Sequence, residues 1–483
     1  MLGTPAARAS RREFLRHVFL TAGAVGAPAW LTACSDSPDR SGGGDAPGGG
    51  DPVGGGEPVG GGDPLGKEFE IPPGPLANVG PLVDSGLDGI LIPEGFQVRA
   101  VARHLRNPVT DLFDPLGLTG YNWHQAPDGG ACFAAPDGGW VYVSNSETDP
   151  RGGAGALRFD AQGAIVAAYR ILDGTRRNCA GGATPWQTWL SCEETADGLV
   201  YECNPFGTPD DAQARPALGL FNHEAAAVDL STRSVFLTED SGSGRLYRFV
   251  AEPQDLSVDA QGRERLRLEA GRLQVLNIEG YEDGGYAQDD ALLRTLHRVS
   301  WTDVASPEQR QDEVRAALES AGMPVPGTVF KGGEGIWLYE LPEALRTVPP
   351  GGSRPTRALL FFACKGDNRV LAYDIDNALI ESVFDNASID PPFDDVDNVV
   401  VSPAGDVLAA EDGDAMRLIV VVPNAPAKTL LQITLGGSEI AGPAFSPDGS
   451  RLYFSSQRGP NFALGATGTG VTYELLIPPQ FRA

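Results

Sequence analysis

Six times along the chain an apolar strand ends in a polar or acidic tip, crosses a short loop and returns as a second apolar strand. The clearest copies are STRSVFLTEDSGSGRLYRFV from Ser231 and PAGDVLAAEDGDAMRLIVVV from Pro403; the others begin at Pro136, Thr184, Ala358 and Pro447. Their tips fall near Glu147, Glu194, Glu239, Asp367, Glu411 and Gln457, about 45 residues apart except for 128 between the third and fourth. A unit of this size cannot bury both faces of its strands alone, and stacking such units around an axis does so. The repeat therefore predicts an all-β fold, a six-bladed β-propeller, with a partly helical insertion between the third and fourth units. A two-layer sandwich offers no reason for the repeat. Within the insertion, Ser306 is the expected helix cap, Pro307 its first turn and Gly322 its end. GVTYELL near the C-terminus is expected to pair with strand material around residues 90–103, leaving no open sheet edge.

The first 34 residues read as an address. Arg11-Arg12 opens a twin-arginine pattern, and the apolar run Val18 to Ala33 is short and rich in small residues. It ends in Leu31-Thr32-Ala33-Cys34, a lipobox that marks Cys34 for lipidation. Residues 35–70 repeat triple glycine with Asp or Glu; they lack the apolar side chains of a core and are expected to form an acidic tether. Residues 71–483 form the working domain. The expected location is the periplasmic or outer face of the cell envelope, reached by twin-arginine export, with membrane contact only through the lipid.

The formal charge is -27 and no basic patch interrupts it, which excludes nucleic acid as a partner. In a propeller, equivalent tip positions lie on a ring about the axis, so acids in register crowd one mouth of the channel. Like carboxylates at that spacing must protonate or bind cations. A single acidic tip is ordinary turn chemistry; five in register favour a metal site. Further acids precede predicted inner strands: Asn222-His223-Glu224, Gly332-Gly333-Glu334-Gly335 and Asp394-Asp395-Val396-Asp397-Asn398. Beside Glu224, His223 is a possible ligand or ligand-orienting group. Trp186 and Trp189 are read as core.

NCAGGATPWQTWLSCEE, NHEAAAVD with LTEDSGSGRLYRF, GGEGIW, VDNVVVSPAGDVLAAEDG and FSPDGSRLYFSSQ resemble the PhoX-type alkaline phosphatases from about residue 120 to 475. The resemblance implies a monomeric phosphoric ester hydrolase acting on small phosphate esters, with calcium (Ca2+) and iron (Fe3+) at the channel mouth. It implies Cys179 as an iron ligand, with Glu239 and Glu334 closest to iron. Glu147, Glu193, Glu194, Glu224 and Glu411 match on the calcium side. Cys179, Glu239 and Glu334 are thus the catalytic candidates. The chain departs from the family at Gly332, where an arginine would grip phosphate; Lys331, Lys365 and Arg369 are the candidate substitutes. Oxygen ligands suit calcium, and a thiolate among carboxylates suits a transition metal.

Two other readings stay open: a non-catalytic calcium-stabilised propeller that binds a ligand or partner, and a calcium-dependent lactone or ester hydrolase. Cys192 and Cys203 lie on what reads as one hairpin and are expected to form a disulfide. Their pairing would leave Cys179 free for metal.

Overall fold

The computed structural model describes residues 69, 71–281, 295–385, 392–413, 415–423, 425–460 and 470–482. Contacts divide the chain between Gly43 and Gly44. The first unit lies outside the described residues, as do the twin-arginine stretch, Cys34 and nearly all of the glycine-rich stretch.

Apolar runs such as Ala358–Cys364 are buried at every position. A strand covered on both faces needs no polar alternation, and here neighbouring sheets cover it. The strands form antiparallel meanders whose first strands are Pro127–Ala134, Asn178–Ala183, His223–Asp229, Gly333–Glu340, Val396–Val401 and Ile440–Phe445. These first strands touch in chain order, and the last returns to the first. The third and fourth meanders are linked into one nine-stranded sheet through His297–Asp303. The result is an all-β, propeller-like fold. Its core lies between successive meanders: Phe133, Val141 and Val143 of the first pack against Trp189 of the second. The expected closure is present, with Val471–Leu476 paired antiparallel to Gln97–Arg103.

The inner strands enclose a channel of about 400 Å³ lined by glycine and alanine from several of them. Small residues are required because the strands nearly touch. A Cβ on Gly182 would lie 1.8 Å from the Ala226 carbonyl oxygen.

The helix of the insertion spans Gln311–Ser320, later than the sequence predicts. Ser306 does not cap it; with φ +47° it opens a turn closed by the Gln309 N–H. Docking sets the start instead, because the Gln311 N–H donates to the Leu220 carbonyl of the third meander. Gly322, at φ +65°, ends the helix as expected.

The expected disulfide is absent. Cys192 lies opposite Val200 and Cys203 opposite Trp189. That offset of three residues along the strand puts the two thiols on opposite faces. Cys192 packs with Trp186 and Leu190, Cys203 with Phe133 and Val141. All five described cysteines are free. Alkylation of the denatured, unreduced protein should therefore modify both Cys192 and Cys203, read by peptide mass; a Cys192–Cys203 bridged peptide would contradict the fold.

Candidate metal centre

Each inner strand carries a β-bulge near its start, between Pro127 and Gly130, Asn178 and Gly181, His223 and Ala226, Gly333 and Ile336, Val396 and Val399, and Ala441 and Ala444. A bulge re-aims the side chain next to it. Just before four of these strands the backbone is left-handed, at Ala126, Arg177, Gly332 and Asp395. The carbonyls at these positions accept the N–H of Glu147, Glu194, Lys365 and Asp412, and those of Asn222 and Glu439 accept Asp240 and Gln457. Six copies of one backbone bond thus deliver one side chain each to the channel mouth.

The residue one step earlier, at the strand tip, has a different role. Glu193 accepts the N–H groups of Leu199 and Arg176, Glu239 that of Arg245, and Glu411 those of Arg417 and Asp394. These carboxylates close their hairpins. Glu411 is also forked by the Arg417 guanidinium at 2.7 and 2.9 Å. Glu239 is held by Arg315 from the inserted helix and by the Tyr247 hydroxyl. None of the three belongs to a cluster able to hold a metal among the described residues. Glu193, Glu239 and Glu411, expected as metal ligands, thus serve here as hairpin clasps and lie outside the clusters. The repeat alignment was one residue out of register at the third and fifth tips, where Asp240 and Asp412 correspond to Glu147 and Glu194.

What the fold brings together is a chain of four overlapping clusters: Asp128, Glu147 and Cys179; Cys179, Glu194 and Glu224; Glu224, Glu334 and Asp397; Asp397, Asp412 and Glu439. Within each, one ligand atom per residue lies within 4.8 Å of the others. Of the residues singled out from the sequence, Glu147, Cys179, Glu194, Glu224 and Glu334 belong to these clusters. Asp128, Asp412 and Glu439 were missed, and Asp397 was noted only as one of a run of acids. Their signal was available: each lies just after a strand tip or beside the start of an inner strand. His223 packs against Phe221 at 3.7 Å between ring centres and bonds the Gly219 carbonyl through Nε2, with Nδ1 buried and unpartnered, and it belongs to none of the clusters among the described residues.

Of the candidate phosphate-binding cations, Lys365 reaches the ring, 2.8 Å from Asp412 and 3.6 Å from Glu334. It holds the place that an acid takes in the preceding meanders. Arg369 is buried at the start of the third strand of its meander, Lys331 lies beside Gly366, and both act on Asp367. Trp186 and Trp189 are core, each 1 % exposed.

A family model described as alkaline phosphatase PhoX matches residues 136–213 and 195–344, a span that includes Cys179, Glu194, Glu224 and Glu334. Over that span the chain is similar to the PhoX-type alkaline phosphatases. The structure of Pseudomonas fluorescens PhoX in complex with vanadate, a transition state analogue, superposes with a TM-score of 0.62 at 16 % identity, covering 84 % of this chain and 99 % of that one. A gluconolactonase from Xanthomonas campestris, XC5397, covers 83 % of this chain and 98 % of its own at 11 % identity; its TM-score of 0.43 is too low for a functional comparison. No curated protein matches.

Without cations the ring is electrostatically unfavourable. Burial, and then the neighbouring acids, push the Glu224, Glu194, Asp128 and Glu439 carboxyls well above the ordinary carboxylate range. Burial raises Asp397 to about 7, against the pull of Lys365. The Cys179 thiol is raised by burial and then by Asp128 and Glu224, so without a cation it keeps its proton. Glu224 Oε1 and Glu439 Oε1 are buried without a hydrogen-bond partner. Orphaned carboxylate oxygens facing like charges fit a multinuclear cation site.

Three tests follow from this geometry, on metal content, on stability and on pH. Glu194→Gln and Asp412→Asn should each lower bound metal measured by elemental analysis, whereas Glu193→Gln and Glu411→Gln should keep it. Removal of Arg417 (Arg417→Ala) should cost about 3–5 kcal/mol of stability by leaving Glu411 buried and unpaired. The third concerns pH. The metal-free ring carboxyls have folded values above their unfolded values of 3.8 for Asp and 4.5 for Glu. The folded state then binds more protons, so stability is present below about pH 4 and is lost as pH rises through 7. The Tm of chelated protein should fall between pH 5 and pH 8, and added calcium should restore most at the higher pH.

Proposed function

We propose that the chain is an exported, metal-dependent phosphoric ester hydrolase that acts on small phosphate esters at the acidic mouth. The observation that carries the reading is the unbroken run of potential ligands from Asp128 to Glu439, all buried but the half-buried Asp412, with one thiol within it. The six meanders are read as six blades, with the helix-bearing segment between the third and fourth as an insertion. Cys179, shared by two clusters, would hold iron together with acids from Asp128, Glu147, Glu194 and Glu224. The oxygen-only clusters of Glu334, Asp397, Asp412 and Glu439 suit calcium. Glu147, Glu194 and Glu224 thereby move to the iron side, and Glu334 to the calcium side.

Cations at this mouth supply charge against a phosphate dianion and lower the pKa of bound water. The remaining tasks fall to the chain. Gln457 donates to both Asp128 and Glu147 through its amide nitrogen, at 2.7 and 2.8 Å, and so orients two acids of the first cluster. Lys365 offers a mobile ammonium at the rim, where substrate oxygens would exchange with Asp412. The backbone bonds beneath the tips keep the ring fixed during turnover. The thiol is the feature that separates this reading from a calcium-dependent lactone hydrolase or a calcium-bound propeller without catalysis. The twin-arginine pattern and lipobox support export and anchoring through Cys34 at the envelope surface.

Protein matured through its natural export route should contain both iron and calcium and release phosphate from monoesters. Cys179→Ser should lose iron and activity while its circular dichroism spectrum stays native. No release from a panel of mono- and diesters by metal-loaded protein would refute the proposal.

A further inference from the structure

The geometry points to Arg177 as the residue that grips the phosphate group, an inference that rests on the phosphatase reading. Six equivalent positions precede the inner strands, occupied by Ala126, Arg177, Asn222, Gly332, Asp395 and Glu439. Arg177 is the one permanent cation among these six, and it faces the acids on either side of Cys179. Its guanidinium lies 2.8 Å from Glu194 and 3.5 Å from Glu147, so it spans the clusters on either side of Cys179. About a quarter of its side chain is exposed, which puts it on the solvent side of buried acids exposed by only 1 and 7 %. A ligand entering the mouth meets Arg177 before it meets the ring.

The backbone sharpens the case. Arg177 has φ +44°, in the left-handed region that favours glycine, and the equivalent position in the fourth meander is Gly332 at φ +61°. The fold accepts glycine at this position, and alanine and aspartate at its equivalents Ala126 and Asp395. Its main chain is fixed at both ends: its N–H donates to the Thr148 carbonyl, and its carbonyl accepts the Glu194 N–H. A planar fork on a fixed base suits two oxygens of a phosphate, as a flexible ammonium does not. Lys365 stands among Glu334 and Asp412. Arg177 stands beside the acids around the thiol. Together they give an anion one cation on each side of the ring, with Arg177 as the directional one. When cations occupy the carboxylates, the guanidinium exchanges part of its acid contact for the anion.

The test uses Arg177→Gly, which the left-handed backbone tolerates, and Arg177→Lys, which keeps the charge without the fork. Binding of inorganic phosphate to the metal-loaded proteins is measured by calorimetry, with metal content, Tm and ester hydrolysis in parallel. The glycine variant should keep its metals and Tm while the phosphate Kd and the KM for esters rise about 10- to 100-fold, with lysine recovering only part. An unchanged phosphate Kd, full recovery by lysine, or a loss of affinity that merely follows loss of metal would overturn the assignment. If the unaltered protein neither binds phosphate nor hydrolyses any ester, the phosphatase reading itself fails.

Discussion

Every inner strand bends at the same place, and the site depends on that bend. A regular strand would send its first residues alternately to the two sides, and acids there would face neighbouring sheets as often as the channel. The bulge breaks the alternation once, so that Asp128, Cys179, Glu224, Glu334 and Asp397 are re-aimed at equivalent points. The carbonyl just before each strand then holds the residue after the facing tip. Two side chains per repeat meet at the mouth for reasons written in the backbone. Their chemistry is free to vary, which is how a thiol, an amide and an ammonium stand among the carboxylates.

Such a ring needs a rigid support, and the tip glutamates supply it. Glu193, Glu239 and Glu411 satisfy backbone N–H groups that would otherwise be left open at the hairpin ends. Two of them also carry a buried arginine. Arg315 reaches Glu239 from the inserted helix, so the insertion is tied to the same register as the repeats. The helix begins where it docks on the third meander, which explains why its capping signal misled.

Much of this was legible in the chain. The 45-residue interval gave the propeller-like architecture, and the strand near the C-terminus found its N-terminal partner. The limit was register. EDG and EE look alike in a sequence, yet in Glu411-Asp412 and Glu193-Glu194 the first residue faces the hairpin and the second the axis. One position along a strand reverses its face, and apolar patterning cannot resolve it at a loop boundary. The same parity placed Cys192 and Cys203 on opposite faces despite their shared hairpin. Asp128 and Glu439 were missed for another reason: each is a single acid at or just before the start of an inner strand, outside the tip repeat.

The electrostatics and the fold pull in opposite directions at the mouth. Packing the inner strands close enough to require Gly182 and its equivalents narrows the channel and brings the acids within reach of one another. That proximity raises their proton affinity, which opposes charge, and it also makes a chelating surface, which rewards charge once cations arrive. The chain moderates the conflict locally. Gln457 replaces an acid between Asp128 and Glu147, Arg177 spans Glu147 and Glu194, and Lys365 sits between Glu334 and Asp412. Glu224, by contrast, has Glu334, Glu194, Asp397 and Asp128 as its charged neighbours and keeps a buried oxygen without a partner. The least compensated carboxylate therefore lies where two clusters meet, which is where a bound cation would relieve the most repulsion.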